Sequence, residues 1–171
     1  MPFEIRRAQP ADAPHIAHVQ VESWRTTYPG IVPDTFLDAL DKQGRTESWE
    51  PQLADPAMLI FVAEDDTGVF GFVSGGPIRD SVDAYDAELY AIYLLKDRQQ
   101  QGAGSALTRA LAASLHTSGF KSMAVWALAE NPSVAFYKRL GAVPIVTRTI
   151  QIGGKDLPDL ALGWSSLQSL L

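Results

Sequence analysis

"YAIYLLKDRQQQGAGSALTRAL" runs from Tyr90 to Leu111 and changes character twice. Apolar residues continue without a break from Tyr90 to Leu95, which reads as a strand with both faces covered. A charged pair and three glutamines follow, then Gly102-Ala103-Gly104, and then a helix with Leu107, Leu111 and Leu115 spaced four apart. The first N–H groups of such a helix have no internal acceptor, and its dipole presents a positive end. Two glycines there let an anion approach those donors closely. A tight turn that needs small residues for packing would use the same letters, and the loop taken alone leaves both readings open.

Outward from this segment the chain alternates strands and helices. Phe3 to Ala8 reads as a short strand, and Pro10-Ala11-Asp12 opens a helix carrying Ile16, Val19, Val21 and Trp24. "TTYPGIVPD" breaks it, and a second helix runs through Phe36, Leu37 and Leu40. "MLIFVAED" and "GVFGFVSGG" form a hairpin around Asp65-Asp66-Thr67-Gly68. Glu88 to Leu95 is the fourth strand, Gly102 to Ser118 the long helix and "MAVWAL" the fifth strand. Pro132 to Leu140 is a short helix, and "VPIVTRTIQI" and "LPDLALGW" close the chain around Gly153-Gly154. The expected class is α/β in the α+β sense, a mixed sheet flanked by helices. At 171 residues, with no repeat or linker, one domain over 1–171 is expected.

Bulk properties narrow the function. The chain has no cysteine, which excludes disulfides and thiolate metal sites. His15, His18 and His116 stand apart from ligand spacing, so no metal is expected. The start lacks a signal-peptide run and no stretch is long enough to span a bilayer, so a cytoplasmic location is expected, without a membrane partner. A net charge of −6 argues against nucleic acid as partner. It leaves room for an anion held by backbone N–H groups. A P-loop would need Lys-Ser/Thr where Ser105-Ala106 follow Gly104. A dinucleotide fold would need a third glycine where Leu107 stands.

A third design fits. Gln99-x-x-Gly102-x-Gly104 is similar to the Arg/Gln-x-x-Gly-x-Gly/Ala signature of the GCN5-related N-acetyltransferase (GNAT) family. "NPSVAFYKRLGAV" resembles that family's second hallmark, "VESWRTTYPGIVPDTFLDAL" the first two helices of its small bacterial members, and "TRTIQIGGKDLPDLALGW" their last hairpin. The likeness covers nearly the whole chain in order. It implies a sheet of about seven strands that splays between strands four and five, flanked by about four helices, with acetyl-CoA as donor. Ile92, Tyr93 and Leu94 would meet the pantetheine arm. Gln99, Gln100, Gln101, Gly102, Ala103, Gly104 and Ser105 would form the pyrophosphate loop, and Asn131, Ser133, Phe136 and Tyr137 would complete the cofactor contacts. Gln99 stands where arginine is commoner, and Arg98 and Lys96 are candidates for its electrostatic role.

Amide formation from a thioester needs a proton acceptor for the amine, a donor for the oxyanion and an acid for the thiolate. The resemblance assigns Tyr137 as acid and Glu88 as base, directly or through water, and the oxyanion to a main-chain N–H near Tyr93 or Leu94. Strand alternation puts Glu88, Tyr90 and Ile92 on one side of the sheet. Glu88 also reads as an ordinary strand-end carboxylate, and Tyr137 as an amphipathic core residue. Asn131 also fits a helix cap in Asn-Pro-Ser. Trp24, Tyr28 and Tyr90 are candidate acceptor contacts, with core packing equally open for Trp24, while Trp126 and Trp164 read as core. The acceptor would be a small-molecule or peptide amine. A homodimer through the last hairpin is expected. A non-catalytic acyl-CoA-binding module on the same scaffold is the rival reading.

Overall fold

The computed structural model describes residues 2–171. β1 (Glu4–Arg7) leads through a single 3-10 turn at Pro10–Asp12 into α1 (Ala13–Thr27). Arg6 holds this entry: its guanidinium donates to both oxygens of Asp12, at 2.8 and 2.9 Å, and to Glu64 at 2.8 Å. α2 (Asp34–Asp38) and α3 (Lys42–Ala54) follow, then β2 (Leu59–Asp65) and β3 (Gly68–Pro77). β4 (Ala87–Leu94), α4 (Ala103–Thr117), β5 (Met123–Leu128), α5 (Ser133–Arg139), β6 (Val143–Ile152) and β7 (Lys155–Trp164) complete the chain. The seven strands form one mixed sheet in the order β1-β2-β3-β4-β5-β7-β6. Of these seven strands, as far as the described residues go, only β4 and β5 pair in parallel.

Each face of the sheet has its own core. On one face Leu107, Leu111 and Leu115 of α4 are fully buried against Val73, Leu89 and Met123. On the other, Ile16 and Val19 of α1 and Trp49 of α3 cover Ile60, Val62 and Phe72. The four-residue leucine spacing of α4 thus marks its buried stripe, as expected. A smaller cluster joins Tyr28, Val32 and Leu37 to Leu128 and Leu157.

Two expectations about these elements are corrected. The single second helix is instead α2 followed by α3, which makes five α-helices among the described residues. Gly44 and Pro51 lie inside α3 and read as breakers, yet Asp41 caps it by accepting the N–H groups of Gln43 and Gly44. Pro51 forfeits a bond to the carbonyl of exposed Glu47, which water can satisfy. The helix is held mainly through Trp49, whose indole N–H donates to Gln20 of α1 at 2.8 Å and whose ring meets Phe72 edge-on.

The second correction concerns β4. Its apolar run is buried only over Ala87–Leu89; from Tyr90 onward it is half-buried. β5 pairs with Ala87, Glu88 and Leu89 and then parts from β4, so the rest of the strand has one uncovered edge. β5 itself continues paired with β7 through Leu128. Among the described residues no helix is long and apolar enough to cross a membrane.

A crevice between β4 and β5

The gap between the two strands opens into a cavity of about 770 Å³. Its walls are the β4 edge from Tyr90 to Leu94 and the β5 edge from Val125 to Leu128. Trp24 of α1, Tyr28 just beyond its end and the loop after β4 line it too, as do Phe136 and Tyr137 of α5 and Ile150 and Ile152 of β6. Because strand pairing stops at Leu89, the gap-facing backbone groups beyond it have no strand partner.

At one end lies the glycine loop. Gly102 has φ +89°, the left-handed region, and Gln100 has φ +61°. The N–H groups of Gln100 to Ser105 have no backbone acceptor among the described residues. Successive free donors in this conformation, at the start of a 15-residue helix, make an anion cradle. The second glycine serves closeness instead: a Cβ on Gly104 would stand 3.2 Å from the Phe136 ring. Gln99, Gln100, Gly102, Gly104 and Ser105 line the cavity. Ala103 is buried, and Gln101 is exposed and donates to the Asp97 carbonyl, so neither side chain is in the wall.

The expected helpers divide. Arg98 is committed elsewhere: its guanidinium ion-pairs with Asp65, donates to Thr67 at 2.9 Å and lies 5.5 Å from the Phe70 ring. It pins the loop to the β2–β3 turn and does not face the crevice. Lys96 does line it. Of the pantetheine candidates, Ile92, Tyr93 and Leu94 all stand in the wall. The Leu94 carbonyl, however, already accepts from Ser23 at 3.1 Å and Gln99 at 3.3 Å.

Strand alternation fails at one residue. β3 pairs Ser74 with Ala91 but Gly75 with Leu89, so Tyr90 is an extra residue, a bulge in β4. Leu89 and Ile92 consequently pack on the α4 side, while Ala91 and Tyr93 pack on the α1 side. Glu88, Tyr90 and Ile92 therefore do not share a face. Glu88 and Tyr90 remain together through Arg79. The guanidinium lies 4.0 Å over the Tyr90 ring and donates to Glu88 Oε2 at 2.7 Å, and the Arg79 N–H donates to Oε1 at 3.0 Å. Tyr90 also donates to the Pro77 carbonyl. Glu88 is 3% exposed and absent from the cavity wall, neither the solvent-facing carboxylate nor a base in contact with the crevice.

Tyr137 lies in the wall at 4% exposure, with its ring edge-on to Trp164. Burial holds its phenol above the usual tyrosine value, Tyr93 adds to the shift and the nearby Ser133 hydroxyl opposes it. Asn131 does cap α5, its Oδ1 accepting the Ser133 N–H at 2.8 Å, and its Nδ2 donates to the Tyr28 hydroxyl at 2.8 Å. That bond ties α5 to the end of α1. Trp24 packs against Tyr28 and Phe36 and also lines the cavity. Trp164 is core, its indole donating to the Leu140 carbonyl at 3.0 Å. Trp126 is a correction: it lines the crevice with Arg148 stacked 3.7 Å from its ring. β5 alternation places it opposite buried Val125 and Ala127, but only the parting of the strands uncovers it. The three histidines are exposed on α1 and α4. Among the described residues no cluster of metal-ligating side chains occurs.

Residues 19–142 match the acetyltransferase (GNAT) family. The chain is 42% identical over 167 residues to the uncharacterized N-acetyltransferase YuaI of Bacillus subtilis, covering 97% of this chain and 95% of that one. Its fold is shared with PaiA N-acetyltransferase of Thermoplasma acidophilum, solved in complex with coenzyme A. That match has a TM-score of 0.73 and 20% identity, over 94% of this chain and 98% of that one. YncA of Salmonella typhimurium, solved with its cofactor acetyl-CoA, matches at TM-score 0.73 and 21% identity over 98% and 95% of the two chains. The chain belongs to the GNAT family and is an acetyltransferase.

Proposed function

We propose that this acetyltransferase moves an acetyl group from acetyl-CoA to a primary amine by direct attack in a ternary complex. The observation that carries the reading is the unpaired β4 edge, which leads from Tyr137 to the free N–H groups of Gln100–Ser105. A long polyanion with an extended arm suits such a crevice: the loop amides take the diphosphate, and the gap-facing groups of Tyr90–Leu94 act as a strand partner for the arm.

Bound acetyl-CoA supplies a thioester whose carbonyl carbon the amine nitrogen attacks and whose sulfur leaves as thiolate. Tyr137 gives its phenolic proton to that sulfur. A gap-facing amide near Tyr93 or Leu94 stabilises the oxyanion. The amine's proton departs through water at the Tyr90 end of the crevice, with Glu88 as its acceptor. Direct contact with Glu88 is set aside, since both its oxygens already hold Arg79. The homodimer reading has one support, the outer edge of β6 with Val143 and Val146 at 55% and 48% exposure. A sedimentation run showing only monomer removes it.

Calorimetry with CoA, together with thiol release on Tyr137→Phe, tests the site. The variant should bind CoA within about threefold of the parent and lose about a hundredfold in kcat. Unchanged kcat with lost binding would make Tyr137 a binding residue and sink the acid role. Failure of the parent to release thiol with any amine, while binding CoA, would favour the non-catalytic module.

A further inference from the structure

Among the described residues the crevice wall contains no aspartate, glutamate or histidine, although the chain has 20 acidic residues. Its charged members are Lys96 and Arg139. On the α1 side of the sheet the wall includes Trp24, Thr26 and Thr27 of α1, Tyr28 and Tyr93. The crevice is also lined by Tyr90, Trp126, Ile150 and Ile152. Three carboxylates around Tyr90 and Trp126 are engaged by arginines that stack on those two rings. Glu88 holds Arg79, and Asp159 and Asp80 each accept from Arg148 at 3.0 Å. The Arg148 guanidinium also covers one face of Trp126.

From this lining we infer that the acceptor is a primary monoamine with an aromatic or aliphatic body, carrying neither a second ammonium nor a carboxylate. The inference rests on the acetyltransferase reading and concerns the other half of the same crevice. A second ammonium brought into this lobe would lose its hydration without gaining a carboxylate, and would face Arg148. An acceptor carboxylate would find Arg79 and Arg148 already paired. An apolar body, in contrast, gains by covering the exposed faces of Trp24, Trp126 and Ile150. The same walls favour the neutral amine over its ammonium, because desolvation lowers an amine's pKa. The lobe thereby assists the deprotonation that attack requires.

Matched pairs test this. With the wild-type protein and acetyl-CoA, thiol release should favour pentylamine over cadaverine, and phenethylamine over phenylalanine, by at least about tenfold in kcat/KM. Titration of the CoA-loaded protein should give the same order in Kd, independent of turnover. Ile150→Glu places a carboxylate on the wall from a half-buried β6 position and should raise the cadaverine-to-pentylamine ratio by about tenfold. Equal or reversed preferences, no turnover of either apolar amine, or an unmoved ratio in the variant would each overturn the inference. If CoA binding is intact in those cases, the acetyltransferase reading survives. Absence of CoA binding would remove both.

Discussion

Tyr28, Tyr93 and Tyr137 stand around the crevice, and burial is the leading cause that raises the phenol pKa of each. Tyr28 is further raised by Tyr93 and Tyr137 and pulled back by its bond to Asn131, and Tyr93 is pulled back by Trp24. Since the folded values exceed the unfolded one of about 10, all three are neutral in both states below that pH. Their contribution to stability is then complete below about pH 10 and is lost as pH rises toward the folded values. An alkaline titration should show their phenolate absorbance appearing only together with loss of folded structure. Free ionisation of all five tyrosines near pH 10 in the folded protein would contradict this assignment. The same shift keeps the Tyr137 phenol protonated throughout the neutral range, as the proposed acid role requires. The sequence named all three tyrosines as site candidates. Their desolvation was not legible there, because it comes from α1, β4 and α5 meeting across the gap.

At the scale of the element, β4 sets the site twice, by its bulge and by parting from β5. Gly75 lies opposite the bulge, and a Cβ there would come 2.8 Å from the Glu88 carbonyl and 2.7 Å from Leu111. Gly75→Ala should therefore cost about 1–3 kcal/mol in urea unfolding. A neutral result would mean that the bulge yields easily. The parted edge makes a second prediction. By hydrogen exchange, gap-facing amides within Tyr90–Leu94 should exchange rapidly in the free protein and slow by at least about tenfold with CoA. Amides of Trp126–Leu128 paired with β7 should be slow in both. Protection of Tyr90–Leu94 without ligand would argue that the edge is closed in solution.

Over the whole molecule, the net charge and the proposed CoA ligand have the same sign. A net charge of −6 is offset locally by main-chain donors rather than by a basic patch. Fixed amide dipoles are screened less by salt than exposed lysines are. CoA affinity should accordingly fall by less than about tenfold between about 50 and 500 mM NaCl, and Lys96→Ala should cost less than about tenfold. A hundredfold salt effect would mean that side-chain charge carries the binding.

What the sequence by itself determined is local. Gly102 and Gly104 at the start of a leucine-striped helix, the Asp65–Gly68 turn, the Asn-Pro-Ser cap and the order of the seven strands are all written in neighbouring residues, where propensity and periodicity act. What only the tertiary structure decided depends on partners far along the chain. Which face Ile92 occupies follows from the pairing of β4 with β3 across its bulge. Arg79 reaches Glu88 by the return of the β3–β4 loop, and Arg98 turns away from the crevice because Asp65 and Thr67 meet it. Trp126 became a wall instead of core because β5 keeps β7 and releases β4. α3 forms around Gly44 and Pro51 because Trp49 finds Phe72 and Gln20. Those choices belong to long-range packing, which overrides local preference wherever buried area and paired charge outweigh a fraction of a kcal/mol per residue.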